Sequence, residues 1–304
     1  MPIPDFQSLM LPLLRLVADG EEYSMVDVRE RLADDFDLSQ EDRDQLLPSG
    51  RQAVFANRVA WAKSYLQQGG LLSSIRRGRF RIAPRGIEVL TNSPDRIDIK
   101  FLQQFPEFVE FRYVRKKSSS EQEDDQVETK NLETPEETLE ESYLKVKDDL
   151  ISEILTKVKS ASPYFFEKLV VELLLAMGYG GSRSEAGKAI GKSGDEGIDG
   201  TISEDRLGLD MIYLQAKKWE GSIGRPEIQR FVGALHGKRA RKGVFLTTST
   251  FTSEAVKYVE NIDPKVVLID GRQLAELMID YTVGVTPVAT YQIKRIDTDY
   301  FSEE

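Results

Sequence analysis

Cysteine is missing from all 304 residues, and histidine occurs once, at His236. The first absence removes disulfides, thiol nucleophiles, zinc ribbons and iron–sulfur ligation together. The second takes away Ser-His-Asp catalysis and His-rich metal sites as working hypotheses. Chemistry in this chain therefore rests on carboxylates, amines, hydroxyls or a hard metal ion. Long apolar runs are lacking too: no stretch approaches the roughly 20 residues that cross a bilayer. The amino terminus has no basic region followed by an apolar run and a small-residue cleavage site, so the expected compartment is the cytoplasm.

Basic charge is in deficit, with a net charge of -10. Nucleic-acid binders usually show the opposite sign, but the distribution matters more than the total. Between Ser118 and Asp149 twelve acids face three lysines, so this one segment carries -9 of the -10. The stretch SSSEQEDDQVETKNLETPEET is poor in apolar residues and reads as an acidic flexible linker over 113–149. It separates an amino-terminal domain, 1–112, from a carboxyl-terminal domain, 150–304.

The first domain reads as mainly α-helical with a hairpin. Met10 to Ala18 has helical apolar spacing and stops at Gly20, while Ser24 with Asp27 and Ser39 with Asp42 look like helix N-caps. Phe55, Val59, Ala62 and Leu66 define one face of a longer helix ending at Gly69-Gly70. The segment IRRGRFRI then alternates apolar and basic residues around a glycine turn. Arg76, Arg77, Arg79 and Arg81 suit a wing on phosphate, and Asn57, Arg58 and Lys63 suit a helix in the major groove. A solvated edge that discourages strand pairing is the alternative for the arginines, and DNA contact is the favoured one.

In the second domain Ser162 caps a helix from Pro163 to Met177. Strands are expected around Ile198, at Met211 to Lys217, at Gly243 to Thr247 and at Val266 to Asp270, with helices between the later ones. That alternation implies parallel pairing with an antiparallel hairpin at the front. On the second strand Tyr213, Gln215 and Lys217 share one face, opposite Ile212, Leu214 and Ala216. The hairpin would bring Asp199 alongside them.

Glu167 interrupts the apolar stripe of its helix, which is costly unless the carboxylate is paired or binds a metal; a helix-edge carboxylate reaching solvent is the alternative. Acids from a helix and a strand, with an amide and an amine on the next strand, suit a Mg2+ site for phosphodiester hydrolysis. Asp199 taken by itself could be a turn residue beside Gly197 and Gly200. Asp195 and Glu196 read as loop residues. Thr247, Thr248 and Ser249 precede a helix capped at Thr252 or Ser253, and His236 reads as a surface residue near a helix end.

The segments FFEKLVVELLLAMGYG, GDEGIDG, QAKKW, GRPEIQRFVGAL and GVFLTTSTFTSEA resemble, in that order, the Mrr-type (type IV, modification-dependent) restriction endonucleases. These are a branch of the PD-(D/E)xK nuclease superfamily in which a glutamine stands for the acid before the lysine. NRVAWAKSYLQQGGL and the hairpin after it are similar to that family's winged-helix DNA-binding domain. The resemblance implies an α/β restriction-endonuclease-like catalytic domain, a mixed central sheet flanked by helices, behind an N-terminal mainly α winged-helix domain. It also implies Mg2+-dependent cleavage of methylated double-stranded DNA as defence against foreign DNA. Carried over by position, Asp199 is the principal metal ligand and Gln215 completes the site beside the Ala216 backbone carbonyl. Lys217 becomes the catalytic lysine and Glu167 the helix acid.

Cutting both strands usually takes two active sites, so a homodimer or higher homo-oligomer is expected. Two other functions fit the same residues: a repair or structure-specific nuclease acting on unmodified DNA, and a DNA-binding regulator with an inactive nuclease fold.

Overall fold

Short side-chain caps set where the helices begin. In a computed structural model that describes residues 2–111, 132–180, 197–205 and 207–294, Ser24 and Ser39 each accept the backbone N–H of an aspartate three residues on. Each aspartate returns the bond, giving two capping boxes. They open helices α2 (Met25–Asp35) and α3 (Gln40–Asp44), behind α1 (Met10–Leu16) and β1 (Tyr23–Ser24). Helix α4 (Val54–Gln68) follows, then β2 (Leu72–Arg76), β3 (Arg79–Ile82), α5 (Pro84–Thr91) and α6 (Ile99–Leu102).

β1, β3 and β2 form a three-stranded antiparallel sheet. Leu72, Phe80 and Ile82 turn inward onto the helices, and Gly78 supplies the positive φ of the hairpin turn. The expected helices and the basic hairpin are all present.

The chain divides into two compact units, one reaching Leu144 and the other Lys145–Gln292. The linker expected over 113–149 is corrected in its second half. Residues 112–131 lie outside the described residues, but Pro135–Ser160 is one helix, α7. Its start is a capping box that the acidic composition concealed. Thr134 accepts the Glu137 N–H at 3.2 Å, the Glu137 carboxylate accepts the Thr134 N–H at 2.9 Å, and Pro135 fills the first helical position.

The second unit is a four-stranded sheet in the order β4 (Gly200–Ser203), β5 (Met211–Lys217), β6 (Lys242–Thr247), β7 (Lys265–Ile269). β4 and β5 are antiparallel; β5, β6 and β7 are parallel, as the alternation of strands and helices implies. Helices α8 (Pro163–Ala176), α9 (Arg225–Gly237), α10 (Ser253–Val259) and α11 (Gly271–Asp280) complete it.

Ile212, Leu214, Val244 and Leu246 join the later turns of α7 and the apolar faces of α8 and α11 in one core. Phe245, on the opposite face of β6, joins Phe231, Ile228 and Ala255 of α9 and α10 in another. Period-two alternation thus feeds two cores, and each large side chain removed from water contributes about 1.5–3 kcal/mol. Tyr213 packs on the second core, so the Tyr213–Gln215–Lys217 face is covered at its start and opens only at its end. His236 is exposed in the last turn of α9. Among the described residues no helix is long and apolar enough to cross a membrane.

Candidate active site

Two buried threonines of β6 and the turn after it hold the end of β5. The Thr247 hydroxyl donates to the Lys217 carbonyl at 2.9 Å. The Thr248 hydroxyl accepts the Trp219 N–H and donates to the Trp219 carbonyl, both at 3.1 Å. Lys218 donates to the Ala161 carbonyl, just ahead of α8. The cap of α10 is Thr252, which accepts the Ala255 N–H. Capping therefore does not explain Thr247 and Thr248. Their sequence signal was a pair of polar residues closing an otherwise apolar strand.

Asp199 enters this frame through its backbone and its side chain. Its N–H donates to the Leu214 carbonyl at 2.8 Å, and its carboxylate accepts the Ala216 N–H at 2.7 Å. Burial pushes the Asp199 carboxyl above the usual aspartate range, opposed by the Ala216 N–H and the charge of Lys217. Glu167, half-buried on α8, is also pushed up, first by burial and then by the negative charge of Asp199. Both line one narrow cleft with Val170, Val171 and Leu214 as apolar walls.

Two carboxylates share a poorly hydrated cleft with less positive charge than they need. Such a set fits a hard divalent cation, which prefers oxygen donors and offsets both the cost of burying the two carboxylates and the repulsion that Asp199 exerts on Glu167. Among the described residues no three His, Cys, Asp or Glu side chains cluster to hold a metal. Further donors would have to be of other kinds, such as the Gln215 amide oxygen or the Ala216 carbonyl. Gln215 lies against the Gly197 backbone: a Cβ there would stand 3.4 Å from the Gln215 Oε1, and the glycine's φ is +101°. Asp195 and Glu196 lie outside the described residues.

Lys217 is held on two sides. Its ammonium is paired with Glu227, in the first turn of α9, and sits 4.7 Å from the centre of the Trp219 ring. Glu227 also pairs with Arg230 at 3.1 Å. The Lys217 bond, with help from Arg230, holds the Glu227 carboxyl below the usual glutamate range.

In the amino-terminal unit two of the expected nucleic-acid contacts require correction. Asn57 is 1% exposed: its amide donates to Glu136, and its carbonyl oxygen accepts the Thr134 hydroxyl at 2.7 Å. Arg58 is paired with Glu137 at 2.7 Å and donates to the Ile3 carbonyl at 2.7 Å. This face of α4 is an internal seat for the start of α7, also joined by Trp61 to Glu136 and Ser49 to Glu140.

Lys63 is partly buried with its ammonium 5.1 Å from the Phe80 ring centre, and burial pushes it below the usual lysine range. Arg76, Arg77 and Arg81 are exposed on the hairpin; Arg76 also pairs with Glu22, and the partly exposed Arg79 with Asp27. Accessible basic charge is thus a property of the hairpin more than of the helix.

Residues 158–278 match the catalytic-domain family Mrr_cat, described as "Restriction endonuclease", and residues 6–92 match the "Mrr N-terminal domain". The chain is 35% identical over 311 residues to the type IV methyl-directed restriction enzyme EcoKMrr of Escherichia coli strain K12, spanning 99% of this chain and 100% of that one. Two solved structures align over part of the chain. The MspJI restriction endonuclease in complex with a 27-mer oligonucleotide is 24% identical over 43% of this chain and 31% of its own, with a TM-score of 0.31. The DNA modification-dependent restriction endonuclease AspBHI is 20% identical over 46% of this chain and 36% of its own, with a TM-score of 0.34. With both Mrr domains in order and a relative matched along its whole length, the chain belongs to the Mrr family of restriction endonucleases.

Proposed function

We propose that the protein is a Mg2+-dependent endonuclease that hydrolyses the phosphodiester bonds of modified, chiefly methylated, double-stranded DNA in the cytoplasm, restricting foreign DNA. The observation that carries this reading is the tie between Asp199 and the Ala216 backbone, which sets a carboxylate between the Gln215 and Lys217 positions of one strand. Methyl direction comes from the relative matched along its whole length. In this reading residues 1–112 act as a winged helix that binds DNA and residues 150–304 cut it. Cutting both strands recruits a second copy of the chain.

Asp199, the Gln215 amide oxygen and the Ala216 carbonyl would hold the cation, with Glu167 across the cleft. A bound Mg2+ supplies neutralisation of phosphate charge and a lower pKa for a water. Lys217 offers ammonium donors to the scissile phosphate, where negative charge grows in the transition state. The Ala216 N–H keeps Asp199 oriented, and Val170, Val171 and Leu214 limit water in the cleft.

Methylated and unmethylated plasmids incubated with protein and Mg2+ test this reading, alongside Asp199→Ala and Lys217→Ala. The expected result is cutting of the methylated plasmid alone, with each variant slowed at least ~100-fold. Equal cutting of both plasmids would replace modification dependence by a structure-specific or repair activity. Full activity in either variant would sink the assigned site, and no cutting by the wild type of any plasmid would favour a DNA-binding regulator.

A further inference from the structure

We infer that Glu227 is a positioning residue for the reaction, aiming the Lys217 ammonium at the phosphate. The inference rests on the assignment of Lys217 above.

A lysine on a strand end swings on four side-chain torsions, and confining it costs rotamer entropy. Here the confinement is built in. Glu227 takes a hydrogen bond from the ammonium on one side, and the Trp219 ring lies 4.7 Å from it on another. An ammonium has three donors, so a single carboxylate partner leaves donors for a phosphate oxygen.

Glu227 is itself held. It stands in the first turn of α9, where the helix dipole favours a carboxylate, and Arg230 bonds both of its oxygens at 3.1 and 3.2 Å. The side chains of Lys217 and Glu227 are 21% and 26% exposed, enough to admit a substrate and too little for water to dissolve the pair. α9 is anchored by Phe231 and Ile228, both fully buried in the core beneath Tyr213. The strand and the helix thus deliver lysine and glutamate to one place from different parts of the fold.

The test compares wild type, Glu227→Ala, Glu227→Gln, Arg230→Ala and Lys217→Ala on methylated plasmid with Mg2+, reading kcat and KM separately. A misplacement of about 1 Å costs on the order of 100-fold, so Glu227→Ala should lower kcat 10- to 100-fold with KM for DNA unchanged. Glu227→Gln, which keeps an acceptor oxygen, should recover part of the loss, and Arg230→Ala, which loosens one side of Glu227, should lower kcat several-fold and less than Glu227→Ala does.

Reductive methylation of lysines with formaldehyde and borohydride, mapped by peptide mass spectrometry without metal or DNA, gives a second readout. Lys217 should react several-fold faster in Glu227→Ala than in wild type. Unchanged kcat in Glu227→Ala while Lys217→Ala is dead overturns the role of Glu227 and leaves the site assignment standing. Full activity in Lys217→Ala overturns the assignment itself. Should Glu227→Ala lose the helical circular dichroism of wild type, Glu227→Gln carries the test: activity and Lys217 methylation both equal to wild type would overturn the inference.

Discussion

Asp199 and Glu167 make the folded protein pay for chemistry in stability. Because burial raises the Asp199 carboxyl, the folded state binds more protons than the unfolded chain over the interval between the ordinary and the raised value. Stability therefore falls as pH rises through that interval, and the cost is complete once pH has passed the raised value. Asp199→Asn keeps an oxygen for the Ala216 N–H and removes the charge. Without divalent cations at pH 7 it should raise the melting temperature of the carboxyl-terminal unit by a few degrees, about 2–4 °C per kcal/mol. The gain should disappear as pH falls through the ordinary aspartate range, where Asp199 of wild type takes up its proton in the folded and the unfolded state alike. Added Mg2+ should stabilise wild type and leave Asp199→Asn almost unmoved; calorimetric scans across pH and Mg2+ check all three outcomes. Asn57 makes the complementary case. Its replacement by alanine should cost about 1–3 kcal/mol in urea unfolding of the amino-terminal unit, by stranding Thr134 and Glu136.

Elements were more legible than contacts. Period-two alternation located β5 at Met211–Lys217 to the residue, and caps at Ser24, Ser39 and Ser162 set three helix starts. The strand near Ile198 begins two residues later, at Gly200, because Asp199 spends its backbone and side chain on β5 as the chain enters the ladder. Composition hid α7: a segment dense in acids reads as solvated until Thr-Pro-Glu-Glu is recognised as cap, first helical position and reciprocal carboxylate. The threonine pair stood out as polar residues closing an apolar strand, but its role and that of Glu227 were illegible because they depend on which strand end is met, and spacing within one element does not say that.

Gly271, first residue of α11, tests how tightly these elements are set. A Cβ there would stand 2.7 Å from the Thr248 carbonyl oxygen, a backbone atom that cannot rotate away. Gly271→Ala should cost 1–3 kcal/mol in chemical unfolding. By displacing the residue that holds Trp219, it should also slow cleavage.

At the scale of the whole chain, the acidic total conceals a local basic surface. Removing the segment from Ser118 to Asp149 from the count leaves a net charge of -1, and exposed Arg76, Arg77 and Arg81 stand together on one hairpin. Arg81→Ala should weaken DNA binding across all sequences and flatten the dependence of log K on log salt by about one unit. A titration by fluorescence anisotropy at several salt concentrations reads both, whereas equal slopes would return that arginine to the role of a solvated edge. The lone imidazole has a use of its own. Since His236 projects into solvent from the same helix as Glu227, the proton on its ring carbon between the two nitrogens resonates downfield of the Phe, Tyr and Trp ring protons once the amides have exchanged into D2O. One-dimensional proton spectra can therefore follow how α9 responds as cation and then DNA are added, without isotope labelling or an attached dye.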